Sequence, residues 1–505
     1  GRNRQVRRMF AAIGCRVCAL RRVQFAMLTL RGLSCGSFRH LTRDEIHELR
    51  IIAGVMSSEE DCRRGCRPSG HDGSGRSHLV HLAHKGYGHV LLLEKMPRAG
   101  RKMMITGKGR CNVTSADDIP DIIKNTVGNG RFLNSSLRAF DNVDVMTFFE
   151  SLGVPLKIER GNRVFPQSDR ASDVVNAILR RLHDQNVEIR TNTAVSELLA
   201  ADHGVRGVRL KDGSDIEADA VILAVGGSSY PATGSAGDGY TLARRAGHTV
   251  VPIFPALVPL VTEEAWVKEL QGLSLRNVRA TLYYAGKKAQ EEFGEMLFTH
   301  FGVTGPIILQ LSRCASELLS MGVDTLELRL NLKPALTYEV LCERVERDFA
   351  KYERKQLRSG MIDLLPKRLI TPVLNTAGLS STSSCGQIST KERRRLVHVL
   401  QALPMTVIGT RPIAEAIVTA GGVDTREINP RTMESKIVSN LYFAGELIDV
   451  DAYTGGYNLQ AAFSTGHAAG CHSVSNLEGR EDDGGTEDNR SGTARLAGGT
   501  IDPGG

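Results

Sequence analysis

Two stretches near the C-terminal end combine residue types suited to redox chemistry on a hydroxylated, heteroaromatic group. Phe443-Ala444-Gly445-Glu446-Leu447-Ile448-Asp449 runs an apolar strand into two carboxylates. Gly455-Gly456-Tyr457-Asn458-Leu459-Gln460 then opens a helix. A carboxylate in such a place accepts hydrogen bonds from hydroxyls, as on a ribityl chain. A helix N-terminus carries roughly half a positive charge and favours negative charge that gathers on a heteroaromatic ring when it is reduced. That dipole contributes on the order of 0.3–2 kcal/mol, a modest bias on a redox equilibrium. Packing alone does not explain this pattern after a strand.

Three earlier segments extend it. Glu94 closes the apolar run Val90-Leu91-Leu92-Leu93. A carboxylate at the end of a second Rossmann strand binds an adenosine ribose, although a surface Glu capping a strand looks the same. Gly100-Arg101-Lys102 and Gly107-Lys108-Gly109-Arg110-Cys111-Asn112 follow. Their glycines let backbone N–H groups face an anion, and Arg and Lys add charge. This is either a diphosphate or flavin loop or a flexible basic loop. Third, Ala224-Val225-Gly226-Gly227 leads into Ser228-Ser229-Tyr230-Pro231 and a second glycine-rich run to Gly239. Paired glycines let the chain pass close to a dinucleotide, or simply make a tight turn.

The elements that must position these residues alternate between strand and helix. Val90–Leu93 reads as a buried parallel strand. Residues 171–183 have helical spacing, and 187–195, 205–210 and 216–225 read as strands. A helix is expected over 239–246, a strand at 441–444 and a helix over 458–470. Strand-like runs at 280–284 and 325–332 mark a β-rich insertion, followed by a charged helical stretch. The expected organisation is a discontinuous dinucleotide-binding domain (56–255 and 405–475), an inserted β-rich domain (256–335) and a helical subdomain (336–404). A leader (1–55) and a disordered tail (476–505) flank them.

The net charge of +8 is uneven, because no Asp or Glu precedes Asp44 while Arg is frequent there. The rest is near neutral, so composition makes no strong case for nucleic-acid binding. The leader's composition suits either a mitochondrial transit peptide or untranslated sequence. Five of the ten cysteines precede residue 67, and Cys15 and Cys18 lack a second pair that would complete a zinc site. No metal site is expected, and a reducing, cytoplasmic setting is, with mitochondria as the alternative. No apolar run is long enough for a transmembrane helix.

Six segments in order resemble one family, the bacterial-type NAD(P)/FAD-dependent oxidoreductases labelled aminoacetone-oxidase-type flavoproteins. They are LLLEKMPRAGRKMMITGKGRCNVT, GNRVFPQSDRASDVV, GGSSYPATGSAGDGY, GEMLFTHFGVTGPIILQLS, TAGGVDTREINPRTMESK and YFAGELIDVDAYTGGYNLQAAFSTG. The resemblance spans about residues 88–470. It implies an α/β fold: a two-dinucleotide-binding, Rossmann-like FAD domain with an inserted β-barrel and a small helical domain. It implies FAD contacts at Glu94, Lys95, the loop from Arg101 and Lys102 through Gly109, Arg110, Cys111 and Asn112, Gly226, Gly227, Glu446, Asp449, and Gly455, Gly456, Tyr457, Asn458, Leu459 and Gln460. Members similar to this chain reduce conjugated C=C bonds, in bile-acid enones or in a uracil of ribosomal RNA, and the hydride chemistry belongs to the flavin. The protein must then supply a proton, for which Tyr230, His300, Cys111 and Tyr457 are candidates. For His300 a hydrogen-bonded structural role is as good a reading.

The resemblance also requires a strand and GxGxxG before Leu91, and none is written. Asp61–Arg76 lacks strand or helix signals. Read one base later, with codon degeneracy, it can spell IAVVGAGPAGMMAA, which is an apolar strand, a glycine loop and a helix start. A frameshift or mis-assigned exon upstream of about residue 80 is therefore expected, with Met56 near the true start. Without that loop the adenosine diphosphate loses a helix N-terminus.

The leading function is FAD-dependent, NAD(P)H-fuelled reduction of a conjugated C=C bond. A flavin amine or aminoketone oxidase is the alternative among enzymes. The other is an RNA-modification factor gripping rRNA through Arg344, Arg347, Lys351, Arg354, Lys355, Arg358 and Lys391 to Arg395. No second GxGxxG marks a nicotinamide site.

Overall fold

The computed structural model describes residues 24–25, 28–29, 79–84, 89–201 and 204–484, with side chains within 90–200 and 204–473. The chain forms two units, 1–70 and 71–505. In the first, Gln24–Phe25 pairs antiparallel with Leu28–Thr29. The leader, the 61–76 segment and the tail beyond Gly484 otherwise lie outside the described residues.

The second unit is built on a five-stranded sheet in the order Leu441–Phe443, Ala220–Ala224, Leu79–His84, His89–Leu93, Glu188–Arg190. Period-2 geometry sends Leu91 and Leu93 to one face and Leu92 to the other, and all three are buried. Helix Ala171–Asp184 covers Leu92 with Val174, Val175 and Ile178, which recur at helical spacing. Helices Asp238–Arg245 and Tyr457–Gly484 pack on the other cluster through Tyr240, Leu242, Ala461 and Ala468, while Phe463 crosses to the first. The last helix continues well past its expected end at residue 470, so its backbone occupies the first part of the segment expected to be disordered.

His89–Leu93 is parallel to Glu188–Arg190 on one side, as expected, but antiparallel to Leu79–His84 on the other. Leu79–His84 is also antiparallel to Ala220–Ala224. Only residues 85–88 join Leu79–His84 to His89–Leu93. A link that short permits a hairpin and excludes the crossover that parallel pairing needs.

The insertion is a closed barrel, ordered Leu260–Thr262, Gly302–Thr304, Lys287–Phe298, Ser274–Tyr284, Leu326–Asn331, Leu403–Thr410. Helix Pro306–Ser320 packs into its core through Ile307, Ile308, Leu311 and Ala315. The sixth strand lies after the helical stretch. The boundary expected at 405 therefore moves, because Leu403–Thr410 pairs with both Leu326–Asn331 and Leu260–Thr262. The helices between (Tyr338–Lys351, Leu357–Gly360, Lys367–Thr376 and Thr390–Gln401) share one hydrophobic core with the barrel. Ser389 and Glu392 form a capping box at the last of them. The chain leaves the dinucleotide domain along Val250–Ala256 and returns along Val418–Val423, and these two segments pair antiparallel.

Because Leu328 is fully buried in that shared core, Leu328→Ala should cost about 2–5 kcal/mol of stability. Hydrogen exchange should show barrel and helices losing protection together. Helices that keep full protection would contradict a common core.

Candidate active site

Glu94 is buried at the end of its strand, with its main chain fixed by Glu94 N–H to Arg190 O (2.9 Å) and Thr193 N–H to Glu94 O (2.9 Å). Its Oε1 accepts from Met96 N–H at 2.8 Å. Burial outweighs that bond and the nearby Lys95 and Arg101, and raises the carboxyl to about 7. Beside it a cleft is lined by Leu93, Lys95, Thr193, Val195, Val225 and Asp238. Lys95 and Asp238 are ion-paired at the cleft. A cleft of mixed apolar and polar lining next to a buried carboxylate is compatible with an adenosine.

The basic loop is a kinked helix, Arg101–Gly109, broken at Thr106, Gly107 and Lys108. Gly107 has φ 57°, and a Cβ there would stand 2.9 Å from Asn112 N. Arg110 is committed to acids: it bonds Asp169 at 2.7 Å, pairs with Glu159 and lies 4.0 Å over the Phe165 ring. It therefore pins the loop. Cys111 is fully buried beside Val113 and Phe149, and burial pushes its thiol up to about 12. Among the described residues the buried Asn112 Oδ1 has no hydrogen-bond partner, which leaves an acceptor for a ligand donor.

At the centre, buried Lys102 is ion-paired with Glu446 and donates to Ser229 Oγ at 2.7 Å. Glu446 Oε1 accepts from Ser229 Oγ (2.9 Å) and Thr419 N–H (2.8 Å). Lys102 thus holds the Glu446 carboxylate below its usual range although most of it is removed from water. Thr419 Oγ1 also accepts from Ser228 N–H at 2.8 Å. A Cβ at Gly227 would lie 2.4 Å from Thr419 Oγ1 and 2.9 Å from Glu446 Oε1, and Gly226 has φ 72°, so this turn needs both glycines. Ser229 and Thr419 were not singled out from the sequence, although both stand within the motifs quoted above.

The last segment closes the cradle. Asp449 Oδ2 accepts from Asn129 Nδ2 at 2.9 Å, and burial raises its pKa. Gly456 has φ 100°, and a Cβ there would sit 2.3 Å from the Thr114 carbonyl. The chain thus reaches the start of helix Tyr457–Gly484 in contact with the strand after the basic loop. Tyr457 is tied to Asp117 and receives a 3.2 Å bond from Asn125 Nδ2, and burial pushes its phenol to about 12. Asn458 braces the preceding turn through Ala452 N–H and O, at 2.9 and 2.8 Å. Leu459 packs against the Leu92 cluster. Gln460 accepts from Thr114 Oγ1 at 2.6 Å and donates to Phe140 O and Ser464 Oγ.

Tyr230 has a left-handed backbone, φ 52°, and is part-exposed. His300 lies exposed on the turn between two barrel strands, edge-on to Phe301 at 4.9 Å. The structure thus gathers Glu94, Lys95, Lys102, Asn112, Gly226, Gly227, Glu446 and the Gly455-Gly456 turn along the C-terminal edge of the sheet. It uses Arg110, Cys111, Tyr457, Asn458, Leu459 and Gln460 to hold that edge together. The Asn112 oxygen, the glycines whose Cβ atoms would collide and the carboxylates of Glu94, Glu446 and Asp449 make a donor and acceptor set compatible with FAD.

Sequence reasoning also missed Arg313, on the barrel helix. It bonds buried Asp451 at 2.8 Å and Glu317 at 2.9 Å. Arg313→Ala would leave Asp451 buried and unpaired, for an expected loss of about 3–5 kcal/mol. Thermal denaturation reads this, and a shift of only a degree or two would contradict it.

Glu94 predicts a pH dependence. Its folded pKa of about 7 lies above its ordinary 4.5. Its contribution to apoprotein stability is therefore full below about 4.5 and is lost as the pH rises through about 7. Ribose hydroxyls donate to the charged form, so FAD affinity should rise between pH 5 and pH 8. Glu94→Gln should be weaker and flat in the same titration. A wild-type affinity that is constant across this window would show that Glu94 does not receive the ribose.

A family model described as HI0933-like protein Rossmann domain matches residues 76–472. The 3-dehydro-bile acid delta(4,6)-reductase of Clostridium scindens is 31% identical over 385 residues, covering 76% of this chain and 92% of that protein. The ribosomal RNA dihydrouridine synthase of Escherichia coli is 30% identical over 382 residues, covering 75% and 90%. A shorter likeness, 57% over 53 residues, joins 10% of this chain to 22% of the ribosomal large subunit pseudouridine synthase B of Bacillus subtilis. The chain belongs to the HI0933-like family of FAD-dependent oxidoreductases.

Proposed function

We propose that the chain uses NAD(P)H to reduce a C=C bond conjugated to a carbonyl, in a steroid-like enone or in a uracil of ribosomal RNA. The observation that carries this reading is a glycine-opened helix start set against Thr114 together with the largely buried Glu446–Lys102 pair. Bound FAD supplies hydride transfer there. Lys102, Ser229 and Thr419 keep Glu446 charged and oriented toward ribityl hydroxyls. The first N–H groups of helix Tyr457–Gly484 face the edge where negative charge gathers. The two long relatives are named for reductions of this type, one of a bile acid and one yielding dihydrouridine.

The uracil reading has separate support. Arg347, Arg354, Lys355, Arg358, Lys391 and Arg394 are exposed on the helical subdomain, and among the described residues none has an acidic partner. Arg344, Lys351 and Arg393, by contrast, are paired with Asp348, Asp363 and Glu346. The 53-residue likeness is also to a protein named for the large ribosomal subunit.

Rapid mixing of the NAD(P)H-reduced protein with a 3-keto-4-ene steroid, a uridine-containing rRNA fragment or oxygen tests the proposal. Reoxidation should be fast with one of the alkenes and slow with oxygen. Fast reoxidation by oxygen alone, with peroxide formed, would establish an oxidase instead. If RNA is the substrate, affinity should fall steeply between 50 and 200 mM salt, by roughly a hundredfold or more.

A further inference from the structure

The barrel contributes more than a wall. In strand Lys287–Phe298, residues 290, 292, 296 and 298 share one face, and Met296 and Phe298 are fully buried in the core. Gln290 and Glu292 pair across to Leu282 and Ala280, both fully buried, so these polar residues occupy inward positions that packing would fill with apolar ones. Both are half-buried. They face Tyr453, on the turn between Asp451 and the Gly455-Gly456 helix start. Gln290 Nε2 donates to the Tyr453 phenol oxygen at 3.0 Å and to Glu292 Oε1 at 2.9 Å.

The direction of these bonds matters. Gln290 uses the phenol oxygen as an acceptor, so the phenol's own hydrogen remains to be donated. Among the described residues it has no acceptor. The turn is fixed from several sides. Tyr453 N–H bonds Asn125 O at 3.0 Å, Asn458 braces Ala452, and Asp451 is held by Arg313. Tyr453 is half-buried, so this phenol hydrogen, held in place one turn before the helix at the candidate flavin site, is open to an acceptor on a bound molecule.

We propose that Tyr453, oriented by Gln290 and supplied with a proton through Glu292, donates to the carbonyl oxygen of the substrate whose double bond is reduced. This rests on the reductase reading above. Bound, reduced FAD would supply a hydride to the β-carbon, forming a C–H bond as the C=C π bond breaks. The electron pair moves onto the carbonyl oxygen, where the Tyr453 O–H stabilises it. Tyr453 gives its proton to the α-carbon as the carbonyl reforms, and the half-exposed phenolate regains a proton from solvent beside the Glu292 acid, so two electrons and two hydrogens are added in all. Tyr453 is the catalytic residue, and Gln290 and Glu292 position and supply it. Glu292 has its carboxyl raised by burial and by Glu291 on its own strand. Around Tyr453 lie Glu292, the Arg313 guanidinium and the Cys314 thiol of the barrel helix. The Glu292 acid form therefore persists further toward neutrality than that of an exposed Glu.

Separate half-reactions of the FAD-loaded protein test this. Tyr453→Phe should slow reoxidation by the steroid or RNA alkene roughly a hundredfold. Its FAD content and its reduction by NAD(P)H should stay within about twofold. Glu292→Gln should remove the fall in reoxidation rate as the pH rises through the Glu292 titration, and Glu292→Asp should restore part of it. If the wild type turns over an alkene and Tyr453→Phe matches it, this inference is overturned and the reductase reading stands. If the wild type reacts with oxygen only, the reading fails and takes this inference with it. Equal slowing of both half-reactions with loss of FAD would mark Tyr453 as structural and also overturn the proposal.

Discussion

A carboxylate removed from water must be surrounded by donors or lose its charge. Glu446 is the place where this constraint organises the molecule. Its donors arrive from three distant segments: Lys102 from the basic loop, Ser229 from the glycine-rich turn and the Thr419 N–H from the strand returning out of the barrel. None can move without leaving a buried charge unsatisfied, which typically costs several kcal/mol. One ion pair thus sets the relative positions of the loop, the turn and the returning strand. The glycines follow from the same crowding, since a side chain at Gly227 would occupy the space of Thr419 and Glu446.

Much of this was legible in the residues themselves. Glu94, the glycine pairs and Glu446 announce close backbone approach and hydroxyl binding through residue type and local order, and the structure brings them to one edge of the sheet. The alternation of strands and helices, the β-rich insertion and the charged helices were also readable from periodicity. Partnerships between distant segments were not. Nothing local marks Arg110 as held by Glu159 and Asp169, or Arg313 as the partner of Asp451. The sixth barrel strand, Leu403–Thr410, was not read as a strand and straddles the boundary expected at 405. Only pairing across the helical insertion places it in the barrel.

The candidate proton donors show why residue identity decides little. Cys111 and Tyr457 stand in the motifs, but one is sealed in the core and the other is engaged with Asp117 and Asn125. Tyr453, a few residues earlier, keeps its hydrogen free because Gln290 takes the role of donor. Both phenols accept from an amide, but Tyr457 also donates to Asp117 while Tyr453 has no acceptor among the described residues, and composition cannot reveal that.

The paired segments Val250–Ala256 and Val418–Val423 carry a wider consequence. The chain departs and returns side by side, so the barrel and its helices are attached at a single stem with adjacent ends. Such a module can be lengthened, reshaped or exchanged without altering the path of the chain through the cradle. The stem leaves the barrel one covalent attachment, while Arg313–Asp451 and Gln290–Tyr453 fasten it a second time to the turn before the last helix, so a shift of the module is transmitted to that turn.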